Sequence, residues 1–156
     1  MRIAFVGLGA MGAPMSLNLL QAGHDVCGVD LRPGAADALV AAGGRTAATA
    51  AEAARGADLL WLMVVSGEQA EAVLFDGGAA AALPRGAIVV AACTQAPALA
   101  RRTAERLAAM GQEMLDAPVS GGVGGAKAAK LTIMVSGPEA TFARARPVLE
   151  AVGQRV

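Results

Sequence analysis

Short apolar runs alternate with longer segments of helical spacing, and this alternation predicts the elements of the chain. Residues 3–6 read as a buried strand, residues 7–12 as a glycine-rich turn and residues 14–22 as the helix that follows. Gly23 suits a left-handed helix cap. A second strand is expected at 26–30, a helix from Pro33-Gly34 to about residue 42, and a short strand at 45–47. A helix at 49–55 precedes a strongly apolar strand at 59–65, and Ser66 is a cap for a helix running to residue 74. Residues 87–92 form another strand. Residues 97–110 are amphipathic, with Leu99, Thr103, Leu107 and Met110 on one face and Arg101, Arg102, Glu105 and Arg106 on the other. Strands follow at 113–116 and 131–135. Gly137-Pro138 opens a last helix, which Pro147 is expected to kink or split.

Strand and helix alternate with few hairpin signals, which predicts an α/β domain with a mostly parallel sheet and helices on both faces. The uninterrupted apolar character of residues 59–65 suits a strand buried on both sides. A length of 156 residues is enough for one domain with a substantial core. Hydrophobic residues make up 55% of the chain, which excludes a disordered polymer, although much of that share is alanine. Thirteen Lys+Arg balance thirteen Asp+Glu, so no net field draws the chain to nucleic acid or to an anionic membrane. No run is apolar for long enough to span a bilayer, and the first residues do not form a signal peptide. A cytoplasmic location is expected, with no nucleic-acid or membrane partner. Cys27 and Cys93 stand alone, outside any metal-ligand spacing, and read as buried thiols; no metal is implied.

Gly7-Leu8-Gly9-Ala10-Met11-Gly12 fits the pattern G-x-G-x-x-G between the first strand and the first helix. Gly7 permits the tight turn, Gly9 lets a pyrophosphate approach the backbone, and Gly12 lets the helix pack close to the strand. The helix N-terminus offers free N–H groups and partial positive charge to phosphates. An ordinary glycine-rich turn is the alternative, in a chain with 20 glycines. Asp30 changes the balance. It ends the second strand 18 residues beyond Gly12, near the spacing of an acid that binds the adenosine ribose. Together these predict a Rossmann-type, doubly wound dinucleotide-binding fold. A carboxylate accepts hydrogen bonds from ribose hydroxyls and repels a 2′-phosphate, so NAD is favoured over NADP. Arg32, across Leu31 from Asp30, could instead bind that phosphate or stay a solvated surface charge.

The opening Gly7-Leu8-Gly9-Ala10-Met11-Gly12-Ala13-Pro14-Met15 resembles that of the β-hydroxyacid dehydrogenase family, typified by 3-hydroxyisobutyrate dehydrogenase. Asp116-Ala117-Pro118-Val119-Ser120-Gly121-Gly122 is similar to the family's substrate-binding signature, and Leu131-Thr132-Ile133-Met134-Val135 to the strand after it. The resemblance covers the whole chain and implies that residues 1–156 are the NAD-binding domain of an oxidoreductase. Such an enzyme moves hydride between a small 3-hydroxy acid and a nicotinamide cofactor. Ser120 would position the substrate, with the backbone of Gly121 and Gly122. Thr94 would lie near the nicotinamide, and Met63, Val64 and Val65 would line the cofactor cleft. The family's catalytic lysine, with an asparagine one helical turn later, is expected beyond Val156 in a helical substrate and dimerisation domain. The fragment alone is therefore expected to be inactive, and the full-length protein a homo-oligomer. The only lysines, Lys127 and Lys130, come too early to match, and His24 lies far from the signature.

Departures from the family pattern are Cys93 where serine is usual, and Ala129 and Ser136 where glycine is frequent. The Cys93-Thr94 pair and the Ser136-Gly137 ending resemble the L-threonate dehydrogenase branch and point to a four-carbon sugar acid; tartronate semialdehyde reductase is a further alternative within the family. Outside it stand a noncatalytic dinucleotide-binding scaffold or regulatory module, and an imine reductase or phosphogluconate-type relative. The Ala117-Pro118 pair counts against that last one.

Overall fold

The first apolar run becomes β1 (Arg2–Val6), the inner strand from which the sheet grows in both directions. The computed structural model describes residues 1–156. On one side of β1 lie β2 (Asp25–Val29) and β3 (Arg45–Thr46); on the other lie β4 (Leu59–Leu62), β5 (Ile88–Ala91) and β6 (Glu113–Asp116). The order β3-β2-β1-β4-β5-β6 is parallel throughout, the doubly wound arrangement in which chain direction across the sheet reverses between β1 and β4.

Successive strand residues point to opposite faces, so each strand feeds two cores. Ile3, Phe5, Val26, Leu59, Trp61, Ile88, Val90 and Leu115 face one core. There they meet Met15 and Leu19 of α1 (Gly12–Gln21) and Ala145, Val148 and Leu149 of α8 (Glu139–Glu150). Phe5 and Trp61 stack there with ring centroids 5.8 Å apart. Ala4, Val6, Leu60, Leu62, Val89 and Ala91 face the other core. Ala53 and Ala54 of α3 (Ala50–Ala54) and Ala79 and Ala80 of α5 (Ala79–Ala82) lie against it. The alanine that dominates the composition is thus spent on close helix–sheet approach. On the same side, α6 (Pro97–Ala109) buries Leu99, Thr103 and Leu107 and turns its arginines outward, as its spacing predicts.

Several expectations need correction. The helix expected from Pro33 is only α2 (Asp37–Ala41), because Gly34 takes φ +79° and bends the chain first. The strand expected at 59–65 stops at Leu62; Met63, Val64 and Val65 run past the ends of the neighbouring strands. Ser66 caps α4 (Gly67–Glu71) through Gln69 N–H, but residues 72–76 widen into a π-helical turn closed by Gly77 N–H to the Ala72 carbonyl. Pro147 does not split α8. Pro147 and Ala143, whose carbonyl it leaves without its usual partner, both lie on the solvent side, where water can take that role. A second sheet was also not foreseen. β7 (Val119–Ser120) pairs antiparallel with β8 (Leu131–Ile133), which pairs parallel with β9 (Gly153–Arg155). Between β7 and β8 lies α7 (Gly122–Lys127). No helix is long and apolar enough to cross a membrane.

Candidate active site

The glycine turn sits at the carboxyl end of β1, beside the point where the strand order reverses. Its backbone is held from both sides: Gly7 N–H donates to Val29 O (2.9 Å), and Met63 N–H donates to Val6 O (2.8 Å). Gly7 has φ +97°, and a Cβ there would lie 2.2 Å from the Met63 carbonyl oxygen. A Cβ on Gly12 would lie 1.8 Å from the Gly7 carbonyl oxygen, so the start of α1 rests directly on the turn. Gly9 differs. A Cβ there meets nothing within 4 Å. The N–H groups of Gly9, Ala10 and Met11 donate to no protein acceptor. Open space faced by unpartnered amides at the start of a helix fits a diphosphate.

Asp30 turns toward this turn. One carboxylate oxygen accepts from Leu8 N–H (2.8 Å), and the other accepts from Arg32 N–H (2.9 Å) and Arg32 Nε (3.1 Å). Arg32 Nη2 also donates to the Leu8 carbonyl (3.1 Å), so Arg32 closes a ring over the carboxylate. Burial alone would raise the Asp30 carboxyl. The hydrogen bonds from Arg32 and Leu8 outweigh it and hold the carboxyl below the usual carboxylate range. The Asp30 side chain is 12% exposed and that of Arg32 65%, so the arginine can swing away while the acid cannot. Leu31 between them points fully into solvent.

Other expected residues follow the same ends of their strands. Met63 and Val64 are half-buried beyond β4, and Val65 is exposed. Thr94 is exposed beyond β5. Its neighbour Cys93 is buried, and burial pushes its thiol up, which disfavours the nucleophilic thiolate. Ser120 ends β7 and is exposed; Gly121 (φ +133°) and Gly122 (φ +61°) adopt backbone that other residues resist. The Ser120–Gly122 segment follows β6 beyond its carboxyl end and begins in the second sheet, and no hydrogen bond joins it directly to the glycine turn. Lys127 and Lys130 are exposed on and after α7. Sequence reasoning missed Gln95, whose Nε2 donates to the Asp116 carboxylate at the end of β6 (2.7 Å). It also missed Asn18, whose Nδ2 donates to the Ala126 carbonyl (2.7 Å). No spacing in the sequence marks either contact, since both span elements far apart in the chain.

The family model described as the NAD binding domain of 6-phosphogluconate dehydrogenase matches residues 2–156. The chain belongs to this family. This NAD-binding domain is 46% identical to 3-hydroxyisobutyrate dehydrogenase of Pseudomonas aeruginosa, covering 99% of the chain and 52% of that protein. It is 43% identical to L-threonate dehydrogenase of Cupriavidus necator, again over 99% and 52%. Among solved structures, 3-hydroxyisobutyrate dehydrogenase of Mycobacterium tuberculosis with L-serine superposes with a TM-score of 0.93 at 43% identity, covering 98% of the chain and 52% of that structure. The chain thus spans about half the length of the curated relatives it matches. The expected Rossmann-type fold, the resemblance to the 3-hydroxyisobutyrate dehydrogenases and NAD as the cofactor all stand.

Proposed function

We propose that this domain binds NAD across the β1–β4 reversal and serves an enzyme that oxidises a small 3-hydroxy acid of the 3-hydroxyisobutyrate type. The observation that carries this reading is the Asp30 carboxylate bonded to Leu8 N–H beside the open space at Gly9. Gly7, Leu8, Gly9, Ala10, Met11 and Gly12 would receive the diphosphate. Asp30 would accept the adenosine ribose hydroxyls once Arg32 yields, with Leu31 beside it. Met63, Val64, Val65 and Thr94 would flank the nicotinamide half. Ser120, Gly121 and Gly122 would hold the substrate carboxylate and hydroxyl. NAD, when bound, supplies the hydride acceptor at nicotinamide C4. The hydroxyl proton would leave to a lysine outside residues 1–156. Residues 1–156 would form one unit of a homo-oligomer completed by a helical domain.

The relatives named above support a 3-hydroxyisobutyrate-like substrate first and L-threonate second, the latter favoured by the Cys93-Thr94 pair and the Ser136-Gly137 ending. Calorimetric titration of residues 1–156 with NAD and NADP tests the cofactor reading; a saturating NAD signal is expected. Turnover assays with 3-hydroxyisobutyrate, L-serine and L-threonate test the second part. Rapid turnover by residues 1–156 alone would overturn the assignment of the proton acceptor to a further domain.

A further inference from the structure

We propose that Asn18 is a positioning residue that couples cofactor binding at the glycine turn to the order of the Ser120–Gly122 segment; this rests on the functional reading above. The segment continues directly into α7, whose sequence Gly122-Val123-Gly124-Gly125-Ala126-Lys127 carries three glycines. Glycine inside a helix is unfavourable relative to alanine, so so short a helix depends on what it touches. It has two anchors. Ala126 is fully buried in the same core as Met15 and Leu19 of α1. Asn18 Nδ2 donates to the Ala126 carbonyl at 2.7 Å, the one side-chain hydrogen bond made to residues 121–130. That carbonyl belongs to the last turn of α7, where the helix's own donors run short. Its other partner is Ala129 N–H at 3.4 Å.

Asn18 stands on the helix whose first turn faces the open space at Gly9. A diphosphate seated there stabilises α1 from its N-terminus. The Asn18 bond carries that gain to α7, and through Gly125 N–H to Gly121 O (3.1 Å) it reaches the start of the substrate segment. Cofactor occupancy therefore tightens the loop that would hold the substrate carboxylate. The link is reciprocal, so a carboxylate held at Gly121 and Gly122 would strengthen cofactor binding by the same factor.

Amide hydrogen exchange of residues 1–156, with and without NAD, tests the coupling. In the native chain, NAD slows exchange at residues 7–13 and also at Gly125, Ala128 and Lys130. In Asn18→Ala and in the near-isosteric Asn18→Asp, neither of which donates this bond, NAD still slows exchange at residues 7–13. Affinity for NAD stays within about twofold, while the NAD-dependent slowing at Gly125, Ala128 and Lys130 falls about fivefold. A bond that only holds α7 in place would change exchange there equally with and without NAD. Persistence of the NAD-dependent slowing in both variants would overturn the coupling. So would its absence from the native chain while residues 7–13 respond, and in that case the cofactor site survives. If residues 7–13 do not respond to NAD either, the cofactor site itself is wrong and the coupling falls with it.

Discussion

Replacing Gly9 with alanine separates a glycine needed by the ligand from glycines needed by the fold. The three motif glycines look alike in sequence, yet their surroundings differ. At Gly7 a new Cβ meets the Met63 carbonyl oxygen at 2.2 Å and the backbone sits at φ +97°; at Gly12 it meets the Gly7 carbonyl oxygen at 1.8 Å. Both obstacles are backbone and cannot rotate aside. Overpacking of about 1–3 kcal/mol applies at either position, with about 1–2 kcal/mol more at Gly7 for left-handed backbone. At Gly9 no atom lies within 4 Å and φ is unremarkable, so Gly9→Ala should fold with stability within about 1 kcal/mol of the native chain. The methyl group would fill the space assigned to the diphosphate and break at least one amide–phosphate hydrogen bond. A hydrogen bond to a charged group is worth about 1.5–3 kcal/mol, which predicts about ten- to 150-fold weaker NAD binding. Urea unfolding gives the stability arm. Quenching of Trp61, the sole tryptophan, which lies two residues before Met63, gives the affinity arm, with calorimetry as a check. Unchanged NAD affinity in a folded Gly9→Ala protein would refute the placement of the diphosphate.

Three further outcomes follow from the same cleft and from α7. Arg32→Ala should lower the affinity for NADP relative to NAD, with little change in stability because the guanidinium is largely exposed; an unchanged cofactor ratio in parallel titrations would remove Arg32 from cofactor choice. Asp30→Asn should be less stable than the native chain at neutral pH. Because the folded carboxyl titrates below its usual range, its contribution is present above the unfolded value and is lost as pH falls through the folded value, so thermal melts of the two proteins should converge in acid. Ala129, the only non-glycine residue with positive φ (+55°), occupies the left-handed position of a helix cap, with Lys130 N–H bonded to Gly125 O at 2.9 Å; Ala129→Gly should raise stability by about 1 kcal/mol in urea unfolding, and a loss would contradict the strain.

The parts of the fold legible in the sequence were those fixed by local chemistry. An apolar run of β-length that breaks into Gly7-Leu8-Gly9 has few other ways to fold, and Ser66 could be assigned as a cap because the capping oxygen and its N–H partner lie three residues apart. The acid at position 30 was legible for a related reason: a parallel β1–β2 pair brings the end of the second strand beside the turn after the first, so a spacing along the chain becomes a distance in space. Leu59–Leu62 announced its central position through apolar character on both faces. Where the strand stopped was not legible, because Met63, Val64 and Val65 continue the apolar pattern for a different reason, as a half-exposed wall beyond the sheet.

What stayed hidden was settled by tertiary partners. The β7–β8–β9 sheet is built from pieces of two or three residues, too short for any periodicity to register. Pro147 reads as a breaker in sequence, but its effect depends on whether the freed carbonyl faces water or the core, and only packing decides that. The same holds for Arg32. Two residues from Asp30 it looks like either a phosphate ligand or a stray charge, whereas the structure has it bridging the acid and the Leu8 carbonyl. On the proposed reading, cofactor choice in this domain would be a competition for one carboxylate between a neighbouring guanidinium and an incoming sugar. The arginine, 65% exposed against 12% for the acid, would be the partner to give way.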